Sequence, residues 1–328
     1  MHFDTVIRNG TIVTATDTFR ADLGIRDGRI AAIADRLMDA TEIIDATGLL
    51  VMPGGIDSHV HLSQPAGPGI VPADDFLTGS RSAAIGGNTT IMPFCLQQKG
   101  QSLRAALAAY RAEAEGRCFI DYAIHLIVTN PTPQVLGQEL PALIEEGYRS
   151  LKIFMTYDDL KISDREMLEV LSVAKRHDTL VMVHAEGHDV IKFLADRLEA
   201  EGRTGTLSHA LSRPVAAERE ATHRAISFAE VIDTPIMIVH VSNRESMEEI
   251  RRAQQKGLRI FGETCPQYLV LTKDHLRSDG MEGAKYVCSP PPRDTESQQA
   301  CWDGLAQGVF EVFPPIIAPS ASTTPAAS

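Results

Sequence analysis

Four histidines in this chain stand where an apolar run gives way to polar sequence, and one lysine lies within such a run. In "GGIDSHVH", His59 and His61 are two residues apart at the end of a strand-like run, so both imidazoles share one face. "LVMVHAE" places His184 at the end of a second run, and "MIVHVS" places His240 at the end of a third. Neutral imidazoles converging from three strand ends are suitable ligands for zinc or a similar ion. One such histidine alone reads more simply as a core residue bonded to backbone; an HxH with two more behind apolar runs favours the metal. Lys152 lies inside the apolar run of "GYRSLKIFMTY", where an ammonium needs a partner or must snorkel out from the strand end. Beside metal ligands it has another option: an amine that has taken up carbon dioxide is a carboxylate, able to bridge two cations.

These residues need a scaffold that brings strand ends together. Residues 3–50 read as short strands joined by tight turns, with Asn9-Gly10 and Asp27-Gly28 of the type that closes hairpins and Thr47-Gly48 a further turn. From about residue 50 the pattern becomes apolar strand, polar loop, amphipathic helix. Strands are expected at 50–57, 89–94, 119–128, 150–157, 179–186, 235–242, 258–265 and 309–313, and helices near 74–86, 102–115, 134–146, 163–177, 188–201, 214–231 and 243–256. Ser163 and Glu166 have capping-box spacing. Strands this continuously apolar, alternating with helices, call for a covered parallel sheet. Eight of them suggest a (β/α)8 TIM barrel, with chemistry at the C-terminal strand ends. A doubly wound open sheet is the alternative, and no GxGxxG motif supports it.

Composition narrows the class. With 43 acidic against 31 basic residues the net charge is -12, which argues against nucleic acid as a partner. Five cysteines, widely spaced and without a CxxC pair, suit a reducing compartment better than a disulfide framework. No apolar run is long enough for a membrane span and the N-terminus has no leader pattern, so a cytoplasmic location is expected.

Taken as a set, "GGIDSHVH", "SLKIFMTYDD" (150–159), "VHAE" (183–186), "IVHVS" (238–242), "ETCPQYL" (263–269) and "KYVCSPPPR" (285–293) resemble the cyclic amidohydrolases, in particular the hydantoinase and dihydropyrimidinase family. The resemblance runs from residue 1 to about 313. It implies a (β/α)8 barrel joined to a β-sandwich built from both chain ends, a homotetramer, and a centre of two divalent metal ions, most simply zinc. Carried over by motif, His59 and His61 hold the more buried ion, N-carboxylated Lys152 bridges both, and His184 and His240 hold the more exposed one. Tyr157 helps stabilise the oxyanion and Ser289 holds the substrate amide. The implied reaction is hydrolysis of the cyclic amide bond of hydantoins or 5,6-dihydropyrimidines to N-carbamoyl amino acids. A related ring, as in allantoinase, or a non-catalytic dihydropyrimidinase-like scaffold, is the alternative. Two departures concern the substrate side: "LSQPAGPGIVPADD" replaces the usual aromatic stretch after the HxH, and Gly187 stands where asparagine is common.

The family's general base is an aspartate directly after the eighth strand. Here "VFEVF" is followed by "PPIIAPSASTTPAAS", which contains no charge. Pro315-Ile-Ile-Ala-Pro319 can be encoded by codons that read Asp-His-Cys-Pro in a shifted frame, so a frameshift is expected. The sequence therefore divides into a partial β-sandwich module at 1–50, a barrel at 51–313 and a tail at 314–328 that is disordered or out of frame. Barrel and sandwich are both expected to be incomplete at the C-terminus, with apolar surface exposed and activity impaired.

Overall fold

The computed structural model describes residues 2–64, 70–277, 282–314 and 320–322; most of the expected tail lies outside them. The chain divides into two units, Met1–Gly55 and Ile56–Ser328.

The first unit holds two small sheets. One has the order β5 (Arg29–Ala34), β4 (Asp22–Arg26), β1 (Phe3–Arg8), β6 (Ala40–Asp45); the other, β3 (Thr18–Arg20), β2 (Thr11–Val13), β7 (Leu50–Val51). Asp27-Gly28 closes the β4–β5 hairpin, with φ of 52° and 69° and Arg26 opposite Arg29. Asn9-Gly10 does not close a hairpin, contrary to expectation. It carries the chain from one sheet to the other, because β1 pairs with β4 and β6 while β2 pairs with β3 and β7. Asn9, at φ 61°, is tied down by Asp22 and Asp45, and a Cβ on Gly10 would come within 2.5 Å of Val51. The sheet's edge strands β5 and β6 leave Ile30, Ile33, Ile43 and Ile44 exposed, the apolar strand surface that usually calls for a cover.

The second unit is a partial (β/α)8 barrel. Its parallel strands are β10 (Asn88–Leu96), β12 (His125–Ile127), β13 (Ser150–Phe154), β14 (Leu180–His184), β15 (Ile236–Ile238) and β16 (Ile260–Gly262), with β8 (Gly55–Val60) and the short β11 (Asp121–Tyr122) also pairing with β10. The eighth strand is represented by one parallel bridge from Glu263 to Val312. A further short pair, β9 (Ile70–Pro72) with β17 (Ser320–Ser322), is antiparallel. The helices of the alternation are α1 (Phe76–Ile85), α2 (Leu103–Ala114), α3 (Leu140–Glu145), α4 (Asp164–Arg176), α5 (His188–Ala200), α7 (Val215–Ile232) and α8 (Arg244–Gln255). Ser163 and Glu166 form the expected capping box on α4. Among the described residues, three α-helices lie outside the expected set: α6 (Thr206–Ser212), α9 (Pro266–Val270) and α10 (Thr295–Ala306).

Strand alternation decides which side chains enter the barrel. On β13, Leu151 and Ile153 join the large core under the helices, while Phe154 belongs to a smaller inner cluster with Phe94, Ile127, Met182, Met237 and Val239. Lys152 shares the inward parity of Phe154. On β14, Val181 and Val183 face the helices, so Met182 and His184 face in. Val60 and Leu62 pack under the helices, which turns Asp57, His59 and His61 inward. His240 breaks the rule. Val239 already points inward and Val241 outward, and a left-handed φ of 43° at His240 re-aims its ring to the barrel mouth. Such a backbone state costs about 1–2 kcal/mol in a residue with a Cβ and is typical of functional sites.

Candidate active site

All seven residues singled out from the sequence line one cavity of about 1020 Å³ at the C-terminal strand ends: His59, His61, Lys152, Tyr157, His184, His240 and Ser289. The histidine rings form a continuous set. Centroid separations are 5.3 Å for His59–His61, 5.5 Å for His59–His240 and 4.5 Å for His184–His240.

Each of three imidazoles has one nitrogen fixed by an oxygen, leaving the other to act. His59 Nδ1 lies 2.8 Å from Glu263 Oε1, His61 Nδ1 2.5 Å from Gln64 Oε1, and His184 Nε2 2.7 Å from Glu186 Oε2. An acceptor on one ring nitrogen holds the proton there and presents a lone pair at the other, the usual arrangement behind a metal ligand. His240 Nδ1 is buried without a hydrogen-bond partner. Burial is the largest influence on all four rings: it lowers the pKa of His61 to about 4, that of His184, and those of His59 and His240 well below the usual value. Neutral imidazole is the ligating form. His125 has a different role: Ser150 Oγ and Ser58 O occupy its two nitrogens, so it ties strands together.

Lys152 is fully buried and its Nζ has no hydrogen-bond partner, which rules out the snorkelling alternative. The amine lies 5.3 Å from the ring centroids of both Phe94 and Phe154. Burial lowers its pKa to about 7, against the pull of Glu263, so much of it is the free base at neutral pH, the form that can take up carbon dioxide. Burial also pushes Glu263 up to about 8, in spite of Lys152 and the His240 N–H that it accepts.

Tyr157 has a φ of 72°, and its ring lies edge-on to His184 at 5.2 Å. Its hydroxyl is held up to about 12, by burial first and then by Glu186, so it remains a proton donor at neutral pH; a hydrogen bond with Ser289 acts in the opposite sense. On the other side of Ser289, His209 Nε2 meets Cys288 O at 2.9 Å and Ser289 Oγ at 3.2 Å. A carbonyl only accepts, so His209 Nε2 carries the proton. The Ser289 hydroxyl hydrogen is then free to point elsewhere. Gly187 is tightly enclosed, since a Cβ there would lie 3.1 Å from Glu220 Oε2 and 3.3 Å from Ala217 O.

The side chains that could hold cations here are His59, His61, His184 and His240, with Lys152 in the same cavity. Among the described residues no group of three or more His, Cys, Asp or Glu side chains is arranged to hold an ion. All four imidazoles lie within electrostatic reach of the Lys152 amine. A partnerless buried amine among neutral imidazoles is accounted for if it carries a carboxylate. The orienting residues Glu263, Glu186 and Gln64 had no role assigned from sequence, although the two glutamates stand behind apolar runs as the histidines do.

The sequence profile of the amidohydrolase family matches residues 50–266. The chain is 47% identical over 311 residues to a D-hydantoinase of Geobacillus stearothermophilus, covering 94% of this chain and 66% of that protein. It is 36% identical over 311 residues to a D-phenylhydantoinase of Escherichia coli, with the same coverage of 94% and 66%. Among solved structures, a dihydropyrimidinase from Brevibacillus agri superposes with a TM-score of 0.93 at 43% identity, over 96% of this chain and 68% of that one. The chain thus spans about two thirds of the length of the curated relatives it matches.

Proposed function

Since the chain belongs to the amidohydrolase family, we propose that its site is built for metal-dependent hydrolysis of a small cyclic amide or ureide, a hydantoin or a 5,6-dihydropyrimidine, to an N-carbamoyl amino acid. The names of its relatives favour D-stereochemistry at the ring carbon. The observation that carries this reading is the partnerless Lys152 amine, buried among four neutral imidazoles. His59 and His61 would hold one divalent ion, zinc as the first choice, and His184 and His240 the other, with N-carboxylated Lys152 between them. Bound there, such a pair supplies Lewis acidity toward a ring carbonyl and lowers the pKa of water.

The chain's own groups do the rest. Tyr157 stays protonated and donates a hydrogen bond to the carbonyl oxygen as negative charge develops on it. Ser289, with His209 behind it, orients the ring amide. The leaving nitrogen needs a proton from a carboxylate at the end of strand eight, and no Asp or Glu occurs from Phe313 to Ser328. Ring opening by this chain should therefore be severely impaired. That same gap favours, as a second reading, a binding or scaffold role on the retained fold. Five free cysteines fit a reducing, cytoplasmic setting, and among the described residues no helix is long and apolar enough to cross a membrane.

The test measures ring opening of dihydrouracil and 5-substituted hydantoins by this chain and by the gene product re-read in the shifted frame from codon 315, with metal content determined for both. Activity only in the re-read product, with close to two ions in each, is expected. Equal activity in both overturns the missing-carboxylate reading, and no metal in either overturns the hydrolase reading in favour of the scaffold.

A further inference from the structure

We infer that Arg213 is a positioning residue of this site, bracing the His184 side of the metal centre through Glu186 while lying against the ring of Tyr157. The inference rests on the metal-centre reading proposed above. Arg213 directly follows α6 and precedes Pro214, the residue that caps α7, so its backbone is fixed between two helices. Its side chain is 11% exposed, and Nη1 lies 3.1 Å from Glu186 Oε2, the same oxygen that His184 Nε2 meets at 2.7 Å. The guanidinium carbon lies 5.4 Å from the Tyr157 ring centroid. One planar cation thus touches both the residue that orients a candidate ligand and the candidate oxyanion donor.

The brace is itself anchored. Arg293 donates from Nη1 to the Arg213 carbonyl, from Nη2 to Glu218 at 2.9 Å and from Nε to Ser242 Oγ at 2.9 Å. Ser242 closes the loop that begins at His240, and its N–H donates to Glu218 at 2.9 Å. Two guanidiniums and two buried carboxylates, Glu186 and Glu218, therefore balance in charge. Four residues before Arg213, His209 reaches the Cys288–Ser289 backbone and hydroxyl. The α6 segment in this way contacts both polar groups on the substrate side. Among the described residues, Arg213 Nη1 and His184 Nε2 are the hydrogen-bond partners of Glu186 Oε2, so without Arg213 the carboxylate would keep only the more distant charge of Arg293 beside His184, and the orientation of that ring would loosen.

The test titrates Co²⁺ alone into the 328-residue chain and its variants, reading stoichiometry, affinity by chelator competition and the d–d absorption spectrum. The wild-type chain is expected to take up two ions. Arg213→Gln is expected to weaken one of them by about 10- to 100-fold, the range for lost support behind a ligand, and to alter its spectrum while leaving the other ion unchanged. Arg213→Lys, which keeps the charge without the planar guanidinium that lies on Tyr157, should recover part of the loss. Glu186→Gln should reproduce the defect, and the double variant should add little to either single one. Should Arg213→Gln fail to fold, Arg213→Lys against Glu186→Gln carries the same comparison. Wild-type affinities and spectrum in Arg213→Gln, or full additivity with Glu186→Gln, overturn the inference. A wild-type chain that binds no Co²⁺ overturns the metal-centre reading, and this inference with it, before any arginine is changed.

Discussion

Glu263 Oε1 lies 2.8 Å from His59 Nδ1 and accepts the His240 backbone N–H at 2.9 Å, so one fully buried oxygen joins the ends of the first, sixth and seventh strands. The pair is separated by 204 residues in the chain. It fixes the His59 ring with Nε2 toward the cavity, and it restrains the loop whose left-handed turn aims His240.

Glu263→Gln keeps the shape and an acceptor oxygen, and should weaken metal binding by about 10-fold or more with little change in melting temperature. Glu263→Ala also leaves the His240 N–H unsatisfied, and should destabilise the metal-free fold by about 1–3 kcal/mol. Chelator competition and urea unfolding check the two effects separately. Equal metal affinity in Glu263→Gln and wild type would remove Glu263 from the support of His59.

Lys152 and Glu263 should write opposite slopes into the stability of the metal-free protein. Glu263 is raised from 4.5 to about 8 by burial. The folded state holds that proton while the unfolded state has lost it, so stability falls as pH rises through this window. Lys152 is lowered from 10.5 to about 7. There the unfolded state binds the extra proton, so stability rises between about pH 7 and 10.5. Lys152→Met should abolish the alkaline rise and stabilise the metal-free fold near neutral pH by about 1–3 kcal/mol, since a buried amine without a partner is removed. Denaturant unfolding at a series of pH values checks this. With ¹³C-labelled bicarbonate, a carbamate carbon resonance should appear in wild type and be absent from Lys152→Met.

Much of this site was legible because its signals are local. An HxH at a strand end, single histidines behind "LVMV" and "MIV", and a lysine inside an apolar run each declare a facing direction through period-two alternation. His240 follows a different rule, since alternation alone would turn it outward and only its φ of 43° brings it in. Glu263, Glu186 and Arg213 act through partners fixed by the fold, and no spacing in the sequence announces them. The missed helices have similar causes. α6 and α9 span 7 and 5 residues, too short to set a period, and α10 has its inner face built from Ser297, Ala300, Cys301 and Gly304 rather than large apolar residues. The Asn9-Gly10 step had hairpin chemistry but changes sheets, a choice made by strand partners far along the chain.

Tyr157 and Ser289 should separate in kinetics measured on the re-read gene product. Tyr157→Phe removes a donor that acts on developing charge, and should lower kcat by about 10²- to 10³-fold with KM little changed. Ser289→Ala removes a contact made to bound substrate throughout, and should act mainly on KM. If Tyr157→Phe raises KM and leaves kcat intact, the hydroxyl binds the ring without stabilising the transition state.

The eighth strand is held by Phe310, and two glycines make its seat. A Cβ on Gly304 of α10 would lie 2.5 Å from Phe310 Cε2 and 2.9 Å from Met247 Sδ, and one on Gly262 of β16 would lie 2.8 Å from Phe310 Cδ1. Phe310 is buried, and beside it Glu311 N–H donates to Gly262 O at 3.1 Å while Thr264 N–H donates to Val312 O at 3.2 Å. Thus the ring's position and the strand's register are set together. Gly304→Ala is not strained by helix geometry and gains helix propensity, so any loss must come from overpacking against Phe310. A net destabilisation of about 1–3 kcal/mol is expected. Amide exchange should accelerate at Glu311 and Thr264, while the β13–β14 amides stay protected relative to the new global stability. Gly304→Ala combined with Phe310→Leu should recover much of the loss, because the smaller side chain makes room for the added methyl. A Gly304→Ala protein as stable as wild type would show that Phe310 can shift freely, and that the eighth strand takes its place from its backbone bonds alone.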